Sequence, residues 1–227
     1  MKTCDLVLTG SEGFIGKKLK EAFEAEGFRV LGLDLVLGDD LTDPNTIRNI
    51  FAKLECSRLI NLHAINDHQD VQTSNNSFAN YSLESFMEVL RVNVVSVFSV
   101  CREFILSRPS GSIVNMSSIY GVVSPSPELY LPEEKNIAYG VSKAALIQLT
   151  RHLAVHFAPN FAVNSIVLGG MYRNHSENFT RKYSQHTPVG RMAEVQDLFP
   201  LVQTLLFDQT NYLTGTTVTL DGGYTSR

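Results

Sequence analysis

Tyr139 and Lys143 stand four residues apart in Tyr139-Gly140-Val141-Ser142-Lys143, a spacing that puts a phenol and an ammonium on one face of a helix. A free phenol titrates near pH 10, roughly three units too high for acid–base work at neutrality. A cation held beside it favours the phenolate and brings proton exchange with an alcohol or a carbonyl within reach. The same pair also occurs as surface decoration, so its chemistry depends on what else converges on it. Ser118 ends the strand-like Ile113-Val114-Asn115-Met116, where its hydroxyl either bonds a substrate oxygen or caps an exposed turn. Asn93 lies inside an apolar helical run; its modest helix propensity points to a specific partner, functional or structural.

A second group of residues reads as a phosphate cradle. Thr9-Gly10-Ser11-Glu12-Gly13-Phe14-Ile15-Gly16 follows an apolar strand and opens a helix, the context a dinucleotide fingerprint requires. Gly10 permits a tight turn, Gly13 a close approach of pyrophosphate, and Gly16 close packing of helix on sheet. The other reading is a glycine-rich turn without a ligand. Asp34 ends the second strand, 18 residues after Gly16, where a carboxylate accepts both ribose hydroxyls and repels a 2′-phosphate. No arginine or lysine follows Asp34 before Arg48, so NAD is favoured over NADP. A solvated loop acid is the alternative.

The elements that must position these groups follow from periodicity. Leu6-Val7-Leu8, Val30-Leu31, Leu59-Ile60, Ile113-Val114, Val163 to Leu168 and Val218 to Leu220 are short apolar runs alternating with helix-period segments, which predicts a parallel sheet. Phe14, Ile15, Leu19, Ala22 and Phe23 share a helical face that ends at Gly27, and Asp43-Pro44 reads as the N-cap and first residue of a helix carrying Ile47, Ile50, Phe51 and Leu54. A long helix spans Ser82 to Ile105. Two stretches, Ala64 to Asn80 and Ser124 to Asn136 with its three prolines, read as irregular.

Composition narrows the partners. With 227 residues, 44% hydrophobic and 19% charged, the chain builds one sizeable core rather than a disordered ensemble. Its net charge of −4, without a basic run, argues against nucleic acid. Cys4, Cys56 and Cys101 are far apart and form no C-x-x-C pair, which fits a reduced, cytoplasmic setting and no metal. The first residues hold too few apolar positions for a signal peptide or a membrane span.

TGSEGFIG, INLHA, VNVVSVF, GSIVNMSS, YGVSK, VNSIVLGG and LTGTTVTLDGG occur in that order, and together they resemble the short-chain dehydrogenases/reductases over nearly the whole chain. The resemblance implies a doubly wound α/β Rossmann fold, a single domain over residues 1–227, with about seven mainly parallel strands. It aligns Asn93, Ser118, Tyr139 and Lys143 with the family's tetrad: tyrosine as acid/base, serine orienting substrate, lysine on the ribose and lowering the phenol pKa, asparagine holding a water in the proton relay. Asp40 and Leu41 resemble the pair that contacts adenine, and Asn61-Leu62-His63-Ala64 stands where the family has Asn-Asn-Ala-Gly. Ser11, Glu12, Phe14, Ile15, Gly169 and Met171 complete the cofactor set implied for NAD.

Several positions depart from that pattern. The glycine spacing resembles the extended, sugar-nucleotide branch, but only 84 residues follow Lys143, too few for a separate substrate domain. Five residues separate Asp34 from Asp40, so the helix between the second and third strands looks absent. Leu168 replaces a proline, His63 a small residue, and the threonine near the nicotinamide carboxamide is not evident after Gly170. The implied function is hydride transfer between NAD(H) and a secondary alcohol or ketone, with a sugar or phosphorylated sugar derivative as one substrate class. A sugar-nucleotide epimerase or dehydratase and a catalytically silent NAD-binding regulator are the alternatives. The resemblance also implies a homodimer or homotetramer on the helices Ser82 to Ile105 and Tyr139 to Phe157. The segment 170–191 is expected to form a lid, whose excess of basic residues would let Arg173 and Arg181 grip an anionic substrate.

Overall fold

The computed structural model describes residues 2–66, 81–130, 135–208 and 210–226. The first irregular stretch therefore lies outside the described residues from 67 to 80, and the second from 131 to 134. In chain order the elements are β1 (Lys2–Thr3), β2 (Leu6–Thr9), α1 (Phe14–Ala25), β3 (Val30–Leu33), α2 (Pro44–Phe51), β4 (Leu54–Glu55), β5 (Arg58–Asn61), α3 (Leu83–Leu90), α4 (Val97–Leu106), β6 (Gly111–Ser118), α5 (Pro127–Tyr130), α6 (Ile137–Phe157), β7 (Phe161–Leu168), α7 (Glu177–Gln185), α8 (Val195–Phe207) and β8 (Thr217–Leu220). Among the described residues no helix is long and apolar enough to cross a membrane.

Six parallel strands form the main sheet in the order β3-β2-β5-β6-β7-β8, and β1 with β4 makes a separate two-stranded ribbon. About seven strands were expected. Only ten residues join β3 to α2, and a parallel strand needs a crossover of about a dozen or more; a 3₁₀ turn at Leu35–Leu37 fills the space instead.

Side chains alternate across the sheet and so serve two layers. Leu6, Leu8, Ile60, Val114 and Ile166 pack with α1 and α8 through Leu19, Phe23, Leu198 and Val202. Val7, Leu59, Ile113 and Val163 face the other way, onto Ile47, Phe51, Val97, Phe104 and Leu146 of α2, α4 and α6. The chain leaves β2 for β3 on one side and returns to β5 on the other, so the connections that follow the C-terminal ends of β2 and β5 run to opposite faces of the sheet. The crevice between them is where open α/β sheets bind ligands.

The expected long helix forms with a change of pitch. Between α3 and α4, residues Arg91–Ser96 form a π-turn, a local widening that often accompanies functional sites, and it carries Asn93. The helix α6 is capped by Asn136, whose side-chain oxygen accepts from the Tyr139 amide at 3.2 Å. That cap fixes where the helix begins, and with it the position of the phenol.

Candidate active site

The turn after β2 is over-determined by close contacts. Gly10 has φ +69°, and a Cβ there would lie 2.7 Å from the His63 backbone nitrogen. A Cβ on Gly16 would lie 2.0 Å from the Gly10 carbonyl oxygen. The N-cap of α1 is Gly13, with no side-chain cap and no acid in the first turn, so its first amides face outward as an anion site. Ser11 is fully buried, and its Oγ has no hydrogen-bond partner. Asp34 is pinned beside the turn, its carboxylate accepting from the amides of Glu12 at 2.9 Å and Val36 at 3.1 Å. An uncapped helix start and a nearby carboxylate together fit a dinucleotide.

The cleft above this turn has a volume of about 670 Å³, and Gly10, Gly13, Phe14, Ile15, Gly16, Leu62, Ser118, Tyr139, Lys143, Gly169 and Met171 all line it. Lys143 is 4% exposed and donates from Nζ to the Met116 carbonyl at 2.9 Å. Its Nζ lies 5.5 Å from the centre of the Tyr139 ring. Burial pushes the ammonium down to about 8. Burial also pushes the Tyr139 phenol up, against the opposing pull of Ser118 and of the Arg173 guanidinium. The sequence implied a lowered phenol. Here desolvation of the phenol dominates, because Lys143 is anchored on a backbone carbonyl and is itself desolvated.

Other expected site residues are engaged elsewhere. Asn61 turns its side chain into the core, donating to Asn115 Oδ1 at 2.8 Å and Cys101 Sγ at 3.2 Å. Asn93, fully buried, accepts from the Ile65 amide at 2.8 Å and donates to the Ile65 carbonyl at 2.9 Å and to Ser142 Oγ at 3.0 Å. Ser142 in turn donates to the Tyr139 carbonyl at 2.7 Å, so Asn93 ties the segment after β5 to the turn bearing the phenol. Leu41 is buried in the core, Asp40 accepts from Thr42, and Glu12 pairs with Lys17 at 3.2 Å.

His63 bridges the two halves of the crevice. Its Nδ1 is 2.7 Å from Thr9 Oγ1 and its Nε2 is 2.9 Å from Ser96 Oγ, which donates to the Leu41 carbonyl at 2.6 Å. Because the Ser96 proton is spent on Leu41, Nε2 is the donor; with the Thr9 hydroxyl donating to Nδ1, its nearer acceptor, the ring is neutral. Burial and the Lys143 charge hold its pKa down at about 4. An unfolded imidazole titrates near 6.5, so below that pH the unfolded chain binds the extra proton and stability falls on acidification. About 2 kcal/mol should be lost between pH 7 and pH 5 from this group. In His63→Ala that share of the slope should vanish in denaturant unfolding measured at the two pH values; identical slopes in both proteins would discard the assignment.

The segment after β7 is clamped at its base, with Met171 bridged to Ala193 and the Gly170 amide donating to the Tyr183 hydroxyl. Arg173 and His175 line the cleft. Arg181 instead donates to Asn178 Oδ1 at 3.0 Å, Lys182 to the Glu128 carbonyl at 3.2 Å, and Arg191 pairs with Asp197 at 2.7 Å. The expectation for Arg181 fails because its helical phase turns it from the cleft. Lys135, Tyr120, Tyr130 and Asn66 also line the cleft and were not anticipated. Lys135 precedes Tyr139 by the same four residues by which Lys143 follows it, the one sequence signal that could have singled it out.

A family model described as enoyl-(acyl carrier protein) reductase matches residues 15–225. The chain belongs to the short-chain dehydrogenase/reductase family. This short-chain dehydrogenase/reductase is 28% identical over 247 residues to an uncharacterized short-chain type dehydrogenase/reductase of Sinorhizobium fredii, covering 97% of this chain and 43% of that protein. It therefore spans less than half that relative's length. A short chain dehydrogenase from Leptospira borgpetersenii, solved with bound NAD+, matches with a TM-score of 0.87 at 30% identity, over 98% of this chain and 93% of that one. A gluconate 5-dehydrogenase from Burkholderia cenocepacia, in complex with NADP and tartrate, shares the fold with a TM-score of 0.80 at 19% identity, over 99% and 96% of the two chains.

Proposed function

We propose that this short-chain dehydrogenase/reductase interconverts a secondary alcohol and its ketone with NAD(H), and that its substrate is a sugar or phosphorylated sugar derivative. The observation that carries the reading is the convergence of Ser118, Tyr139 and Lys143 on one cleft whose floor is the glycine turn. The dinucleotide, when bound, supplies the hydride acceptor or donor. The open amides at the start of α1 would hold its diphosphate, Asp34 would accept from the adenosine ribose, and Lys143 would face the other ribose. Ser118 donates to the substrate oxygen and keeps it beside the phenol. In the oxidising direction Tyr139 takes the hydroxyl proton; in the reducing direction it returns one to the carbonyl oxygen. The nearby cations favour the ionised phenol against the desolvation that opposes it. The segment 170–191 closes over the reacting atoms and excludes water.

Absorbance at the reduced-nicotinamide band, followed with sugars, sugar phosphates and simple secondary alcohols, tests the reaction. Dinucleotide binding without turnover on any of them would favour a silent regulator. NAD is expected to bind at least about tenfold more tightly than NADP, equivalent to roughly 1.4 kcal/mol, because Asp34 would face a 2′-phosphate. Equal affinities in calorimetric titration would sink that preference.

The same reading includes a homodimer or homotetramer. Val95 (59% exposed), Leu106 (72%) and Val155 (80%) lie on α4, the π-turn before it and α6, and burying them between subunits would remove apolar area from water. Light scattering at micromolar concentration should give a multiple of 25.2 kDa; the monomer mass would reject the assembly.

A further inference from the structure

We infer that Lys135, Arg173 and His175 form an anion-binding subsite beside the Tyr139 phenol, which grips a carboxylate or phosphate group carried by the substrate. The inference rests on the reaction proposed above and specifies the substrate's charge. The three side chains come from two separate segments, Lys135 from just before α6 and the other two from the stretch after β7, and all three line the one cleft. The Lys135 ammonium lies 5.2 Å from the ring centre of Tyr139, 5.5 Å from that of Tyr130 and 5.8 Å from that of Tyr120. It is therefore held over a set of tyrosine faces that includes the proposed acid/base.

The electrostatics agree with this geometry. Burial and the Arg173 charge push Lys135 down to about 8. His175 is lowered by burial and by the charges of Arg173 and Lys135. The Arg173 charge thus reaches both Lys135 and His175, and an anion placed between Lys135 and Arg173 relieves their repulsion. Among the described residues that line the cleft there is no aspartate or glutamate. Within the described residues the Arg173 guanidinium makes no side-chain hydrogen bond or ion pair, so its fork is open to paired bonds with a carboxylate or phosphate. Asn66 adds a buried side-chain oxygen that has no partner among the described residues, on the same cleft, an acceptor suited to a hydroxyl of the same molecule. The fitting ligand is a hydroxylated anion, a sugar acid or a sugar phosphate, with its charged end at the cations and an alcohol carbon at Tyr139.

Calorimetric titration of the intact protein with inorganic phosphate, and separately with malonate, tests this in the presence of saturating NAD+, which occupies the glycine turn. Both anions should bind, and Lys135→Gln and Arg173→Gln should each weaken binding at least about tenfold. Lys182→Gln removes the same charge outside the cleft and should change nothing. Lys135→Arg keeps the charge and should retain binding, which separates loss of the subsite from misfolding, as do melting curves of each variant. Tighter binding of phosphate supports a phosphate ester as substrate, and tighter binding of malonate a carboxylate. No heat with either anion, or binding untouched by both substitutions, overturns the subsite. So does a loss of NAD+ affinity as large as the loss of anion affinity, which would assign the cations to the cofactor's own diphosphate. NAD+ affinity and hydride transfer are read separately, so a failure of the proposed reaction is recognised without reference to the anion titrations.

Discussion

Tyr139→Phe is expected to lower turnover by roughly 100-fold or more while leaving NAD affinity little changed. The substitution removes one oxygen and keeps the ring, so the packing around it survives and the proton has nowhere to go. The native phenol is mostly buried and pushed up by that burial, with Ser118 and Arg173 pulling against it. Without the hydroxyl, Ser118 would still orient a substrate oxygen, which leaves binding in place. Lys143→Ala should behave differently and lose both turnover and affinity, because its ammonium would hold a ribose as well as favour the phenolate. Steady-state rates with the identified substrate, set beside dinucleotide titrations, separate the two patterns. Ordinary turnover in Tyr139→Phe would mean that another group moves the proton.

Gly16→Ala should cost dinucleotide affinity by about 100-fold or more, near 2.7 kcal/mol, and lower the melting temperature as well. A methyl group there would sit 2.0 Å from the Gly10 carbonyl oxygen and 2.9 Å from both the Gly10 carbonyl carbon and the Ser11 Cα. All three neighbours are backbone of a turn already pressed onto His63, so no flexible side chain can yield. The first turn of α1 must then move away from the sheet, taking with it the amides proposed to face the diphosphate. A variant that titrated NAD with native affinity would show that the cradle lies elsewhere.

The sheet was legible because its inner strands are buried on both faces and so read as short apolar runs; all six runs named from the sequence became strands of the main sheet. The ribbon of Lys2–Thr3 with Leu54–Glu55 was not, since two-residue strands carry no alternation. The pitch change at Arg91–Ser96 also left no trace, because an inserted residue in a helix barely disturbs a 3.6-residue pattern. At the site, Ser118, Tyr139, Lys143 and the glycine turn could be named from residue type and spacing. The ionisation of Tyr139 could not, since burial is a property of packing. Lys135 was missed because it precedes the first residue of α6, in a stretch whose prolines marked it as irregular. Arg181 was over-read, since charge in a segment says nothing about which way each helical position turns.

Both ends of the main sheet are strands of only four residues, Val30–Leu33 and Thr217–Leu220. Each leaves along its outer side a row of amides and carbonyls to which the sheet gives no neighbour. Such rows template pairing between molecules, and brevity is one of the brakes on it. On the β3 side the brake is tightened locally, for the Asp34 amide just past the strand is spent on the Asp39 carboxylate at 3.3 Å. Immediately beyond lie Leu35, Val36 and Leu37, exposed by 71%, 82% and 55%. Loosening the Asp34–Asp39 contact would lengthen the free edge into that apolar triplet. Precipitation on mild heating is therefore expected to begin at this corner of the molecule while the core is still folded.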